Sequence, residues 1–172
     1  INYASILIMA MQIKYTFQNI SRALRFPFLT ASIFPFIFGS LIGPLNFNYL
    51  LFLFGLFAVI ATHLSSNLIN DYFDSRSGAD WQDREFYGFF GGSKLIQEGI
   101  LTEGWYLITS FICAVLAFIC VVVISLYLKS FFPLFAYLAV IILGWQYTGM
   151  PLRLAYRGLG EVVIFLLFGP VL

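Results

Sequence analysis

An all-α bundle of membrane-spanning helices is the fold this sequence predicts, and three observations predict it. Hydrophobic residues make up 61% of the 172-residue chain and charged ones 10%, against about 25% charged in an average soluble domain. No Asp, Glu, Lys or Arg lies between Arg25 and Asp71, and the mean hydropathy is +0.93. Several apolar stretches approach the roughly 20 residues needed to cross about 30 Å of hydrocarbon. A lipid bilayer is therefore the expected surrounding, and no nucleic-acid partner is expected.

The chain opens on Ile1, with Met9 and Met11 a little further on. Residues 1–10 read as an upstream extension and 11–172 as one truncated membrane domain. Lys14 to Arg25 mixes Tyr15, Phe17, Ile20 and Leu24 with polar and basic neighbours. Such a stretch fits an interfacial amphipathic helix or a basic flank that sets topology. The first span is expected from about Pro27 to Leu41 or beyond, ending near Gly43-Pro44, and the second from about Tyr49 to Asn70. The third is expected from about Trp105 to Leu128 and the fourth from about Phe131 to Tyr147. A fifth begins near Gly160 and is still apolar at Leu172. Pro44 with Asn46 and Asn48, and Lys129-Ser130 with Pro133, mark short turns, so helices 1 and 2 and helices 3 and 4 should form antiparallel hairpins.

Charge orients the bundle. If the spans alternate, Lys14, Arg22, Arg25, Arg76, Arg84, Lys94, Arg153 and Arg157 fall on one side and Lys129 alone on the other. The positive-inside rule makes the basic side cytoplasmic. All the acids fall there too, so any chemistry is expected at the cytoplasmic face of an inner or cell membrane. Cys113 and Cys120 lie inside an apolar run and read as small packing residues.

Acids arrive abruptly at Asp71, Asp74 and Asp80. Ionisable groups clustered at a membrane boundary are costly and read as functional. Carboxylates near a helix C-terminus oppose its dipole and one another, and a divalent cation would relieve both penalties. His63, Asn67, Asn70, Asp71 and Asp74 recur at spacings of three and four, which makes one polar stripe on helix 2. Asn70 and Asp74 are placed to share a magnesium ion, with Asp71 beside them and Asp80 returning over the turn at Gly78. The plainer alternative is a solvated helix end whose asparagines bond neighbouring helices. His63 fits a helix–helix contact better than a ligand, and Gly39 with Gly43 suggests close helix packing. Gly88, Gly91, Gly92, Ser93 and Lys94 form a loop able to cradle phosphate by its N–H groups, or a simple connector.

Three segments resemble the UbiA superfamily of intramembrane prenyltransferases, in particular its 1,4-dihydroxy-2-naphthoate branch. Asn67-Leu68-Ile69-Asn70-Asp71-Tyr72-Phe73-Asp74, with Gly78 and Asp80, is similar to that family's first aspartate-rich motif. Gly91-Gly92-Ser93-Lys94, then Gln97-Glu98-Gly99, is similar to the following cytoplasmic loop. Tyr147-Thr148-Gly149-Met150-Pro151, Tyr156-Arg157-Gly158-Leu159-Gly160-Glu161 and Phe168-Gly169-Pro170 resemble the link from helix 4 into helix 5. The resemblance implies four complete spans and the start of a fifth from a nine-helix fold. It also implies Mg2+, a prenyl diphosphate donor and an aromatic acceptor.

Carried over by position, the resemblance gives Asn70 and Asp74 as metal ligands, with Asp71 and Asp80 in support. It gives Asn67, Lys94, Arg153 and Arg157 to the diphosphate, and Asp71, Asp74, Tyr147 and Tyr156 to catalysis. This chain departs from the branch at Ala155, where a lysine is usual and for which Arg153 offers a charge, and at Gly149-Met150, where two glycines are usual. The family's second aspartate-rich motif falls beyond residue 172, so the 172-residue piece alone is expected to be inactive. Other branches of the superfamily and a cation-coupled transporter are the competing readings.

Overall fold

The computed structural model describes residues 16–42, 47–88 and 91–168. The expected extension at 1–10, Lys14, the turn at Gly43-Pro44 and Gly169-Pro170 lie outside the described residues. Helix α1 (Thr16–Ala23) and a 3-10 turn (Phe26–Leu29) lead into α2 (Thr30–Ile42). Then come α3 (Tyr49–Ser77), α4 (Ala79–Gln82), α5 (Glu103–Leu128), α6 (Phe132–Gln146), a second 3-10 turn (Ala155–Arg157) and α7 (Gly160–Phe168). Among the described residues there is no strand.

Two of the expected spans, α3 and α5, are single helices long and apolar enough to cross a bilayer. The first is a bent pair, Thr16–Ala23 with Phe26–Ile42, broken by 43°. Arg25, in the left-handed region at φ 50°, and Pro27 in the first turn that follows make the break. The fourth, α6, has 15 residues, which at 1.5 Å per residue is about 22 Å, short of a full crossing on its own.

The helix ends follow local chemistry. Asn48 caps α3, its Oδ1 accepting from the N–H groups of Leu50 and Leu51 at 3.0 and 3.1 Å. Gly78, at φ 86°, ends it in the left-handed conformation glycine tolerates. Thus α3 continues through Asp71 and Asp74 rather than stopping at Asn70. Thr102 caps α5 by accepting from Trp105 N–H at 3.1 Å.

Helix α3 is the central element and α5 its main partner. Asn48 Nδ2 donates to Tyr127 OH at 2.9 Å, Ser110 Oγ donates to the Ser65 carbonyl at 2.8 Å, and Ser75 Oγ donates to Glu103 Oε1 at 2.9 Å. That pairing order makes the two helices antiparallel. Small side chains bring them close, as membrane helices require: Ala58, Ala61 and Ala117 join Cys120, Val121 and Tyr137 in one buried cluster. A second cluster, Ala23, Leu68, Leu95 and Tyr106, seals the end where α1 and the 91–101 loop meet α3. Both expected hairpins are antiparallel. Ser32 bonds His63 at 2.6 Å while Phe36 packs on Gly55, and Tyr137 OH donates to the Ala114 carbonyl at 2.6 Å. His63 is thus in a helix–helix contact. Gly39, by contrast, has no neighbour within 4 Å of where a Cβ would sit, and the close approaches fall instead at Gly55 and Gly144. Large apolar side chains on the outer faces, Phe34, Phe38, Phe111 and Phe135 among them, are exposed as lipid-facing residues are.

Candidate functional site

The site grows from the C-terminal third of α3. Adjacent polar residues on that helix face different neighbours, because a one-residue step turns the side chain by about 100°, so the expected single stripe divides between two neighbours. Asn70 Nδ2 donates to Thr148 Oγ1 at 3.3 Å. One turn later, Asp74 Oδ1 accepts from Tyr156 OH at 2.6 Å, and Tyr156 OH also bonds Ser77 Oγ at 3.0 Å. Both partners belong to the linker between α6 and α7, so Asn70 and Asp74 are turned to the same segment.

That linker is held in shape by its own chemistry. Gln146 Nε2 donates to the Met150 carbonyl at 3.2 Å, and Leu152 N–H donates to Gln146 Oε1 at 3.0 Å. Gly149 is required where it stands: a Cβ there would lie 2.3 Å from the Trp145 carbonyl oxygen and 2.7 Å from the Phe73 ring. Met150 is exposed and carries no such demand, which explains why only the first position of the Gly149-Met150 pair needs glycine. Tyr147 packs its hydroxyl toward Gly160, 3.1 Å from where a Cβ would be.

Burial, followed by the hydrogen bond to the Asp74 carboxylate, pushes the Tyr156 hydroxyl up to about 12. Burial also raises Tyr147, with the negative charges of Asp74 and Glu161 adding to it. Both phenols therefore stay protonated at neutral pH, and Tyr156 acts as a neutral donor to Asp74.

Asp71, adjacent to Asn70 in sequence, faces elsewhere. It is 2% exposed. The Arg25 guanidinium forms an ion pair with its Oδ1, and Ser93 N–H donates to its Oδ2 at 3.0 Å. Ser93 Oγ bonds Tyr106 OH at 2.5 Å. Asp80, in α4, is 7% exposed and accepts from Lys94 Nζ at 2.7 Å. A Cβ on Gly92 would meet Asp80 Oδ2 at 2.5 Å, so the loop passes directly against that carboxylate. Arg22 forks onto Glu98 at 3.0 and 2.5 Å and lies over the Phe86 ring, 3.9 Å from its centroid.

The structure therefore divides the expected site residues into two sets. Asn70, Asp74, Tyr147 and Tyr156 gather around the α6–α7 linker, which also carries Arg153 and Arg157. Asp71, Asp80 and Lys94 are tied up in ion pairs around the 91–98 loop. Arg157 donates to the Pro151 carbonyl at 3.3 Å. Asn67 Nδ2 and Arg153 Nε are buried with no hydrogen-bond partner among the described residues, as are Arg22 Nε, Arg25 Nε and Gln97 Nε2. No group of three or more His, Cys, Asp or Glu residues poised to hold a metal occurs among the described residues.

Sequence reasoning assigned no site role to Arg25, Tyr106 or Gln146, and it offered the Ser93 N–H to phosphate, whereas that N–H is engaged by Asp71. For Arg25 a signal existed: it is the last charge before the long uncharged run and Asp71 is the first after it. An antiparallel hairpin returns both to one side of the membrane.

Much of the chain is similar in sequence to known proteins. The chain is 30% identical over 118 residues to UbiA prenyltransferase domain-containing protein 1 of Dictyostelium discoideum, covering 68% of this chain and 35% of that protein. It is 27% identical over 148 residues to 1,4-dihydroxy-2-naphthoate octaprenyltransferase of Bacillus subtilis (strain 168), covering 83% and 45% respectively. The chain thus spans less than half the length of these curated relatives. No solved structure matches. Residues 32–172 match the UbiA prenyltransferase family, and this helical membrane protein belongs to it.

Proposed function

We propose that the full-length protein transfers an isoprenyl chain from a prenyl diphosphate to an aromatic acceptor of the 1,4-dihydroxy-2-naphthoate type, with Mg2+ and at the cytoplasmic face. The observation that carries this reading is the state of Asp74. Asp71 and Asp80 each have a cation in an ion pair, whereas the Asp74 carboxylate has no ion pair among the described residues and accepts only from the neutral Tyr156 hydroxyl. Asn70, four residues earlier, uses its Nδ2 on Thr148 and has no hydrogen bond to its Oδ1 among the described residues. Two oxygen donors on one helix face, one of them an uncompensated carboxylate, suit magnesium shared with a diphosphate. When bound, the ion supplies positive charge that stabilises a departing diphosphate.

The chain's own residues do the remaining work. Arg153 and Arg157 bring positive charge to the linker facing Asp74, where charge develops as the allylic C–O bond breaks. Asn67 Nδ2 and Arg153 Nε are buried donors with no partner among the described residues, which diphosphate oxygens would satisfy. Tyr156 holds Asp74 by a hydrogen bond and fixes its orientation. The aromatic-rich, apolar helices suit a prenyl tail, and shielding from water would protect an allylic cation from capture. The acceptor ring captures that cation, and in the naphthoate type its carboxyl group then leaves as carbon dioxide. The named activity of the Bacillus subtilis relative supports this acceptor.

The test is a radiolabelled prenyl-transfer assay on the full-length protein in lipid nanodiscs, with 1,4-dihydroxy-2-naphthoate and 4-hydroxybenzoate offered separately. Product from the naphthoate, lost with EDTA and lost in a folded Asp74→Ala variant, is expected. Transfer that persists without divalent metal, or that uses only the benzoate, would overturn the reading.

A further inference from the structure

All three ion pairs among the described residues converge on one loop and the helix beneath it. Arg22 holds Glu98 from α1, Arg25 holds Asp71 on α3, and Lys94 holds Asp80 on α4. Asp71 is the hub. Its two oxygens face two different chain segments, the α1–α2 corner through Arg25 and the loop through Ser93 N–H. With Lys94 5% exposed and Leu95 fully buried, this loop is clasped rather than free. The two oxygens are thus engaged by a guanidinium and a backbone N–H, whereas Asn70 and Asp74 face the linker.

We infer that Asp71 is a positioning residue and not a magnesium ligand: through Arg25 and Ser93 N–H it locks the 91–98 loop against the cytoplasmic end of α3. The lock keeps the Asp80 and Lys94 charges paired with each other. A buried ion pair that loses one partner leaves an uncompensated charge, so either half of the Arg25–Asp71 pair is essential to the clasp. The inference deepens the prenyl-transfer reading, yet its first readout needs neither substrate nor metal.

That readout is trypsin cleavage after Lys94, followed by mass spectrometry on the full-length protein in nanodiscs without divalent metal. The scissile bond is buried and becomes available only when the loop lifts. Asp71→Asn and Arg25→Gln should each speed cleavage roughly tenfold or more, and the double variant should be no faster than either single one. In the transfer assay, both variants should raise KM for the prenyl diphosphate while leaving the half-saturating Mg2+ concentration unchanged. Arg25→Lys keeps the charge without the planar fork, should give an intermediate cleavage rate, and serves as the measurement if the neutral variants do not fold. Wild-type cleavage in the folded variants would overturn the assignment. So would additive effects in the double variant, or a rise in the Mg2+ requirement confined to Asp71→Asn. If cleavage behaves as expected and no prenyl transfer occurs in the wild type, the clasp stands and the proposed activity falls.

Discussion

A single methyl group added at Gly149 would meet the Trp145 carbonyl oxygen at 2.3 Å, so this position tests the linker more sharply than any charged residue does. The Trp145 oxygen is backbone of α6, and the Phe73 ring beside it stands on α3 between Asn70 and Asp74, so relief of the clash would disturb one helix or the other. Gly149→Ala should lower stability by about 1–3 kcal/mol, as overpacking does, read as a drop in Tm in nanodiscs. Gly39→Ala, with open space around it, should leave Tm unchanged. Tyr156 offers a second test. Hydrogen bonds to charged groups contribute about 1.5–3 kcal/mol. Tyr156 is 48% exposed, which places it at the low end. Tyr156→Phe should therefore reduce kcat/KM in the transfer assay by about tenfold, with a small drop in Tm. At this scale the sequence was half legible. A four-residue step puts Asn70 and Asp74 on one face whatever surrounds them. The same reasoning could not foresee that Asp71 and Asp80 are neutralised, because their partners, Arg25 and Lys94, are brought to them by tertiary structure.

At the scale of elements, hydropathy located the helices and misplaced one end. It stops α3 at Asn70, where apolar residues give out, yet the helix runs to Ser77 because a polar turn keeps its backbone bonds until Gly78 leaves the helical region. The opposite end of α3 is fixed by Asn48, which accepts from two N–H groups and donates to Tyr127 OH. Asn48→Ala should cost about 1 kcal/mol, as the loss of a cap does. Tyr127→Phe keeps the cap and removes only the cross-helix bond, so its Tm should fall less. The bend before α2 was not legible from hydropathy, since it arises from the left-handed backbone of Arg25. The 15-residue length of α6 depends on where Gln146 turns its amide into the linker, a contact beyond hydropathy alone.

For the whole molecule, charge asymmetry gives an orientation that can be measured. Lys129 lies at the end of α5 that meets Asn48, opposite the end that carries Arg25, Arg84 and Arg157. In intact cells, with Cys113 and Cys120 replaced, a cysteine at position 129 should react with an impermeant maleimide. One at position 84 or 157 should react only after permeabilisation. The reverse pattern would overturn the cytoplasmic placement of the site. Every described ion pair sits on the Arg25 side, whereas the Lys129 side is held by small-residue packing, a cap and neutral hydrogen bonds. The protein should accordingly have two separable softening regimes. Removing one partner of a buried ion pair would loosen the half nearest Arg25 and admit deuterium there first, while a thinner bilayer or a short-chain detergent would fray the half nearest Lys129 and leave the other protected.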